Sequence, residues 1–240
     1  MSSVSEYIRK VHHNFCTVVV VAAGESTRMG RDKLFIELRG IPVLAWTLQA
    51  LDASPSVDEI IVVTREEKLD AVAALKNEYG IRKLSKVVIG GKTRTESALS
   101  GASEADKRAK VICIHDAVRP FVTEEIISDA VHNAVLHQAA APAVPVKDTI
   151  KRATDGVVSE TPARSELFAV QTPQAFHPDI LKAALTAAVR DGVSYTDDCA
   201  AVEALGVHTY LSRGSEENIK ITTPADLPLA EAILQNRSKA

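Results

Sequence analysis

The sequence predicts an α/β fold with a mainly parallel, twisted sheet and helices on both faces. Three β-branched apolar runs, at residues 18–21, 59–64 and 111–114, show no polar alternation, as expected of strands buried on both faces. Segments with helical spacing lie between these runs. Strands that alternate with helices favour parallel pairing through right-handed crossovers. A chain of 240 residues suits one such domain, and it contains no internal repeat.

Composition narrows the classes of protein that remain. Hydrophobic residues make up 46% of the chain, which allows a sizeable core, and the net charge of −3 argues against a nucleic-acid binder. Three widely spaced cysteines offer no zinc motif and indicate a reducing, cytoplasmic setting. No apolar run reaches membrane-spanning length. Residues 1–16 form a polar extension without the apolar centre of a secretory signal, and residues 17–240 form the domain.

The first strand ends in a small-residue loop that predicts an anion site. Ala22, Ala23 and Gly24 would let backbone N–H groups approach a phosphate, and the cations Arg28 and Lys33 follow. Open α/β sheets bind ligands at this carboxyl end of their strands. The loop matches neither the dinucleotide-binding turn nor the Walker A loop. An ordinary strand-to-helix turn with surface charges therefore remains an alternative.

The elements of the first half follow in order. A strand-like run at 34–38 turns at Arg39-Gly40, and Pro42 suits the first position of a helix to about residue 53. The strand at 59–64 precedes a helix at 66–79 that Gly80 ends. A strand at 86–89 runs into Gly90-Gly91, and a helix begins near residue 95.

The second half begins with the same alternation and then changes character. The strand at 111–114 is followed by a helix with Thr123 as its N-cap and by an apolar segment at 139–146. Residues 147–172 are short, polar and β-prone, which predicts a protruding hairpin or arm. The remaining predicted elements are helices at 178–189, 197–205 and 224–234 and a strand at 207–211.

Three other places carry possible chemistry, each with a plain structural alternative. Gly90 and Gly91, with Ser97 at a helix start, could cradle a ribose or base, or simply form a tight turn. Asp116 could hold Mg²⁺ beside the first loop, or only cap a helix or pair with Arg119. Lys220 supplies a third cation in a β-prone run, where a solvated lysine is the alternative.

Together these motifs resemble the 2-C-methyl-D-erythritol 4-phosphate cytidylyltransferase family of isoprenoid precursor synthesis, over residues 17–234. The family pattern has a proline where Val21 stands, a difference in backbone shape rather than charge. The motifs that carry the resemblance are Ala22-Ala-Gly24 with Arg28-Met-Gly and Lys33; Gly90-Gly91 with Arg94 and Ser97; Asp116-Ala-Val-Arg119-Pro; Asp148-Thr149; Arg164 with Gln171-Thr-Pro-Gln174; Thr196-Asp-Asp198; and Asn218-Ile-Lys220-Ile-Thr.

The resemblance implies a Rossmann-like nucleotidyltransferase fold and a magnesium-dependent transfer from CTP to a polyol phosphate. It also implies a homodimer in which the arm crosses to the partner. Three groups of site residues follow from it. The catalytic cations are Arg28, Lys33 and Lys220; the nucleotide-binding residues are Ala22, Ala23, Gly24, Gly90, Gly91, Ser97 and Asp116, with Asp116 also on the metal; and the substrate-binding residues are Arg119, Thr149, Arg164 and Thr172.

Two other functions stay open at this point. Ribitol-5-phosphate cytidylyltransferases share much of the pattern, including the run from His115 to Phe121, although Thr196-Asp-Asp198 favours the methylerythritol family. A non-catalytic module that senses CTP could keep the same fold. The retention of Arg28, Lys33, Asp116 and Lys220 together argues against such a module, because a sensor has no need of every charge aimed at the reacting phosphate.

Overall fold

A computed structural model of the chain describes residues 14–24 and 32–238. The strands are β1 (Cys16–Val21), β2 (Glu37–Leu38), β3 (Ile41–Pro42), β4 (Glu59–Thr64), β5 (Leu84–Ile89), β6 (Val111–Asp116), β7 (Ala139–Pro145), β8 (Arg152–Thr154), β9 (Val157–Glu160), β10 (Phe168–Val170), β11 (Gln174–Phe176) and β12 (Tyr210–Arg213). The helices are α1 (Val43–Ala53), α2 (Leu69–Glu78), α3 (Arg94–Ser103), α4 (Glu124–His137), α5 (Pro178–Arg190), α6 (Asp198–Glu203) and α7 (Asp226–Arg237).

The main sheet has the order β10-β7-β11-β6-β1-β4-β5, and β12 also pairs with β7. The run β6-β1-β4-β5 is parallel, whereas β11 is antiparallel to both of its neighbours. The predicted mainly parallel α/β class is therefore confirmed for the half of the sheet that carries the first loop. The polar segments around β10 and β11 supply the antiparallel half.

The side chains of β1 alternate between two apolar cores, one on each face of the main sheet, and helices cover both cores. Val18 and Val20 belong to one apolar cluster, with Leu44 of α1 and Ile126 of α4. Val19 belongs to the other cluster, with Ala98 of α3 and Leu181 of α5. A strand buried on both faces reads as a continuous apolar run. No helix among the described residues combines the length and the apolar character needed to cross a bilayer.

Several predicted boundaries were wrong, for local reasons. The strand expected at 34–38 is mostly a turn, because the Leu34 and Ile36 carbonyls accept hydrogen bonds from the Leu44 and Val43 N–H groups at the start of α1. Strand β6 continues through His115 and Asp116, which were expected to follow it. The last strand is shifted to residues 210–213, where it pairs with β7.

The predicted arm contains a separate two-stranded hairpin, β8–β9, outside the main sheet. Every residue of the two strands is exposed, and Val157 is 72% exposed. The end of the segment behaves differently, because β10 pairs with β7 in the main sheet. The hairpin is thus attached next to β10, the strand at one end of the main sheet, but takes no part in that sheet.

Candidate active site

A cleft of about 410 Å³ lies at the carboxyl ends of the central parallel strands. The register places Val21 of β1 beside Asp116 of β6 and Val63 of β4, so the first loop leaves the sheet between these two strands. Parallel strands bring their carboxyl ends to one edge, where ligands bind. The lining residues are Val21, Ala22, Ala23, Gly24, Lys33, Leu34, Arg65, Gly91, Lys92, Thr93, Arg94, Ser97, Asp116, Ala117, Val118 and Lys220.

The turn that carries Lys33 is anchored by its neighbour, Asp32. One Asp32 carboxylate oxygen accepts the Leu34 N–H at 3.3 Å, and the other lies 2.6 Å from the Lys68 ammonium. Lys68 belongs to the short 3₁₀ turn that follows β4. The segment that returns from the first loop is thereby tied to the next strand of the sheet, and Lys33 is presented on the cleft wall.

The glycines after β5 allow the chain to approach β1 closely. A Cβ atom on Gly90 would lie 2.7 Å from Ser97 Oγ and 2.9 Å from Ala23 Cβ, so even alanine would crowd this point. The Ser97 hydroxyl donates to the Thr93 carbonyl in the first turn of α3. Gly91 and Ser97 line the cleft, and Gly90 brings their segment against the first loop.

Asp116 is the centre of a group of charges that borders the cleft. Its Oδ2 lies 3.0 Å from Lys220 Nζ and 3.4 Å from Arg119 Nε, and its Oδ1 lies 4.0 Å from an Arg94 nitrogen. Burial by itself would raise the pKa of Asp116, but Lys220, Arg94 and Arg119 outweigh it and hold the pKa at about 2. Asp116 is therefore a carboxylate at neutral pH.

Arg94 connects this group of charges to a buried helix start. Its guanidinium lies 2.7 Å from Oδ2 of Asp198, a side chain that is 1% exposed. Burial raises the pKa of Asp198, and the Arg94 charge opposes that rise. The amide oxygen of Gln174 accepts the Asp198 N–H, and its nitrogen donates to Asp197. The Thr196-Asp-Asp198 motif and Gln174 thus hold Arg94 in place.

Thr172 and Arg119 lie behind Asp116. The Thr172 hydroxyl accepts the Asp116 N–H at 3.1 Å and lies 3.0 Å from His115 Nδ1. The Arg119 guanidinium donates to the Asn218 carbonyl at 2.7 Å. Asn218 lies two positions before Lys220, so these contacts fix the segment that presents the Lys220 ammonium to the cleft.

The structure brings most of the predicted site residues together. Lys33, Ala22, Ala23, Gly24, Gly91, Ser97, Asp116 and Lys220 line the cleft. Gly90, Arg119 and Thr172 support that lining from behind. Thr149 and Arg164 are exposed on the arm, where Arg164 donates to the Lys147 carbonyl, and neither lines the cleft of its own chain. Arg28 lies outside the described residues.

Sequence reasoning missed three groups at this site. Arg65 follows β4 directly and lines the cleft, so the strand-end rule that singled out Asp116 would also have found it. Lys92, which directly follows Gly91 and also lines the cleft, was given no role. Asp198 was part of a family motif, but its buried pairing with Arg94 depends on α5 packing against both α3 and α6 and leaves no local signal.

Asp116 is the carboxylate best placed to share a metal ion. Its Oδ1 is less engaged than Oδ2, and it borders the cleft. The described residues contain no group of three or more acidic, histidine or cysteine side chains that could hold an ion unaided. These residues therefore fit a Mg²⁺ ion that takes one protein oxygen and completes its octahedron with phosphate oxygens and water.

Comparison of this chain with known sequences gives the same family from a family model and from individual relatives. The family model described as 2-C-methyl-D-erythritol 4-phosphate cytidylyltransferase matches residues 16–236. A protein of that name from Clostridium novyi is 44% identical over 222 residues, which is 91% of this chain and 96% of the relative. Another, from Halalkalibacterium halodurans, is 43% identical over 225 residues, which is 93% of this chain and 98% of the relative.

Solved structures agree with the sequence comparison. The 4-diphosphocytidyl-2C-methyl-D-erythritol synthase of Anaerococcus prevotii superposes with a TM-score of 0.82 at 31% identity, covering 93% of this chain and 97% of its own. The 2-C-methyl-D-erythritol 4-phosphate cytidylyltransferase of Thermus thermophilus gives 0.73 at 29% identity, covering 90% and 98%. The family and the nucleotidyltransferase class predicted from the motifs are confirmed: this chain belongs to the 2-C-methyl-D-erythritol 4-phosphate cytidylyltransferase family.

Proposed function

We propose that this chain transfers the cytidylyl group of CTP to 2-C-methyl-D-erythritol 4-phosphate, giving 4-diphosphocytidyl-2-C-methyl-D-erythritol and pyrophosphate, in isoprenoid precursor biosynthesis. The observation that carries the proposal is the cleft itself. Small residues at 22–24 line it together with two lysines, Lys33 and Lys220, which come from distant parts of the chain. Such a site suits a triphosphate that is attacked by a second phosphate.

The chemistry needs no general base from the protein. The nucleophile is the phosphate of the acceptor substrate, which is already an anion at neutral pH, and neither histidine nor cysteine is found in the described lining of the cleft. The protein must hold the two phosphates in line and stabilise the charge that develops on the α-phosphate and on the leaving pyrophosphate. Lys33 supplies a compensating positive charge from the nucleotide side. We assign Arg28 the same task.

Lys220 serves the opposite side of the reacting phosphates. Its ammonium is held 3.0 Å from Asp116, and Asp116 is aligned by Arg94 and Arg119. A lysine fixed by a carboxylate has fewer orientations to lose when a substrate phosphate arrives, so its charge is preorganised. We assign Arg119 and Thr172, which support the cleft lining from behind, to the polyol-phosphate side of the cleft, as the family resemblance implies.

We assign the metal site to Asp116 together with the triphosphate. A bound Mg²⁺ would neutralise phosphate oxygens and strengthen pyrophosphate as a leaving group. The Asp116 carboxylate stays ionised because its pKa is about 2, so it can serve a cation without first losing a proton. Arg94 and Lys220 share that carboxylate and keep it directed toward the cleft.

We propose further that the enzyme is a homodimer in which Thr149 and Arg164 reach the partner's cleft. Within their own chain both residues are exposed on the arm. The β8–β9 hairpin presents Val157 and Val158, which are 72% and 53% exposed, and an isolated hairpin is marginal in water. A two-fold partner would cover this apolar surface. The free thiols of Cys16, Cys113 and Cys199 support a cytoplasmic location.

Pyrophosphate release in the presence of CTP and Mg²⁺ tests the reaction. We expect release with 2-C-methyl-D-erythritol 4-phosphate, little with ribitol 5-phosphate, and none after EDTA until Mg²⁺ is restored. Lys220→Met should abolish most of the activity. Lys86→Met is its matched control, because Lys86 pairs with Glu104 away from the cleft. Binding of CTP without release for either acceptor would indicate a sensor, and faster release with ribitol 5-phosphate would change the substrate.

A further inference from the structure

A closed ring of hydrogen bonds lies behind the cleft, and His115 is the member that the reaction does not explain. His115 Nε2 lies 3.3 Å from the Arg119 carbonyl, and the Arg119 guanidinium donates to the Asn218 carbonyl at 2.7 Å. The Asn218 side-chain nitrogen donates to the Thr172 carbonyl at 3.0 Å. The Thr172 hydroxyl, 3.0 Å from His115 Nδ1, closes the ring. Three separate chain segments are thereby joined.

The partners of the ring determine where the imidazole hydrogen sits. A carbonyl oxygen can only accept, so the Nε2 nitrogen that faces Arg119 must carry the hydrogen. In the neutral ring Nδ1 is then an acceptor, and the Thr172 hydroxyl donates to it. That hydroxyl is also able to accept the Asp116 N–H, which lies 3.1 Å away. Each donor in this chain of contacts then has an acceptor, and the Thr172 hydroxyl does both, donating to His115 and accepting from Asp116.

The environment of His115 supports a neutral ring. The side chain is 0% exposed, at the end of β6. Complete burial disfavours the charged form of an imidazole. In the neutral ring a hydrogen on Nδ1 would leave Nε2 without one, and the hydrogen bond to the Arg119 carbonyl would be lost.

We propose that His115 is a positioning residue, which fixes the Thr172 hydroxyl and the Arg119 backbone on the polyol-phosphate side of the cleft. The inference rests on the proposed function, since it names a residue that prepares that site. His115 itself lies outside the lining of the cleft. It acts through Thr172 and Arg119, and through Asn218 it also steadies the segment that carries Lys220.

Three variants separate the two hydrogen bonds of the imidazole. His115→Gln can still donate to the Arg119 carbonyl, His115→Asn can still accept from Thr172, and His115→Phe can do neither. Because His115→Phe loses both hydrogen bonds, we expect it to raise the KM for the polyol phosphate by at least about tenfold, the factor for one buried hydrogen bond, with the KM for CTP within about twofold. The amide variants should fall between His115→Phe and the parent. His132→Phe, on an exposed position of α4, is the control and should match the parent.

A spectroscopic measurement tests the hydrogen bonds without relying on activity. Long-range ¹H–¹⁵N correlation of the imidazole rings should show His115 as the Nε2–H tautomer at neutral pH, assigned by the signal that His115→Gln removes. If the parent protein is active, two results would overturn the inference: an Nδ1–H tautomer of His115, or KM values in the variants equal to those of the parent. So would equal rises in KM for both substrates. A parent that releases no pyrophosphate would instead overturn the proposed function. If His115→Phe does not fold, the Gln and Asn variants decide.

Discussion

At the scale of single residues, the cleft depends on charges whose positions are set by other charges. Asp116 keeps its carboxylate ionised because Lys220, Arg94 and Arg119 surround it. Arg94 is in turn held by the buried Asp198. Removing one member would leave its partner buried without compensation, which costs more than the pair contributes. Lys33 lines the same cleft, on the segment that returns from the first loop.

Lys33→Ala should lower kcat by about 10² to 10³ while changing the affinity for CTP much less. A cation that stabilises developing charge acts mainly in the transition state, and the loss of one such group typically has an effect of this size. Single-turnover kinetics and calorimetric titration with CTP measure the two quantities. Lys86→Ala, which removes a lysine outside the cleft lining, controls for the change in net charge. Equal turnover in Lys33→Ala and parent would contradict the assignment.

His115 also makes stability depend on pH. Its pKa is about 4 in the folded chain against an ordinary value of 6.5, so the unfolded chain binds the proton first as pH falls. The stability due to its neutral form is fully present above about pH 6.5 and is lost progressively toward pH 4. Linkage predicts a loss of about 2 kcal/mol between about pH 7 and pH 5. Urea unfolding of the parent and of His115→Gln measures it, and the variant should lose less over that interval.

At the scale of elements, the sequence predicted best where burial is uniform. The runs in β1, β4 and β6 are apolar on both faces, so periodicity alone identified them. It did not find β10 and β11, and it placed β12 about three residues too early, because these short strands are defined by pairing with β7, a contact that is distant in sequence. The residues of the cleft also divide into those that the sequence could predict and those that depend on distant contacts. Residues at strand ends, such as Asp116, were predictable, whereas the pairing of Arg94 with Asp198 depends on how α5 packs against α3 and α6.

The contact of α3 with the sheet depends on Gly101. A Cβ atom there would lie 2.3 Å from Val19 Cγ1 and 2.6 Å from Val63 Cγ2, so Gly101→Ala must push the helix away from β1 and β4. Overpacking of this kind costs about 1–3 kcal/mol, which should exceed the gain in helix propensity. Urea unfolding should show the loss, with the KM for CTP raised because α3 carries Ser97. Ser103→Ala, at the end of the same helix, is the control; a more stable Gly101→Ala would refute the contact.

At the scale of the whole molecule, one chain contains both a nearly complete cleft and an arm that contributes no residue to the lining of that cleft. Lys33 and Lys220 face the cleft of their own chain, whereas Arg164 lies on the exposed arm. The hairpin also carries apolar side chains with nothing to cover them within the described chain. A two-fold arrangement relates both features, because each arm would reach the partner at the same place. The proposed dimer thus makes a prediction about which residues act together.

If Arg164 acts on the partner's cleft and Lys33 on its own, two inactive homodimers should restore each other. Arg164→Ala and Lys33→Ala should each be nearly inactive. In a mixed dimer one site inherits both defects and the other neither. Random exchange makes about half of the dimers mixed, so recovery to about a quarter of parental activity is expected from two-fold geometry. Mass spectrometry of differently tagged chains confirms the exchange. Mixed dimers that form without recovering activity would mean that Arg164 does not act across the interface.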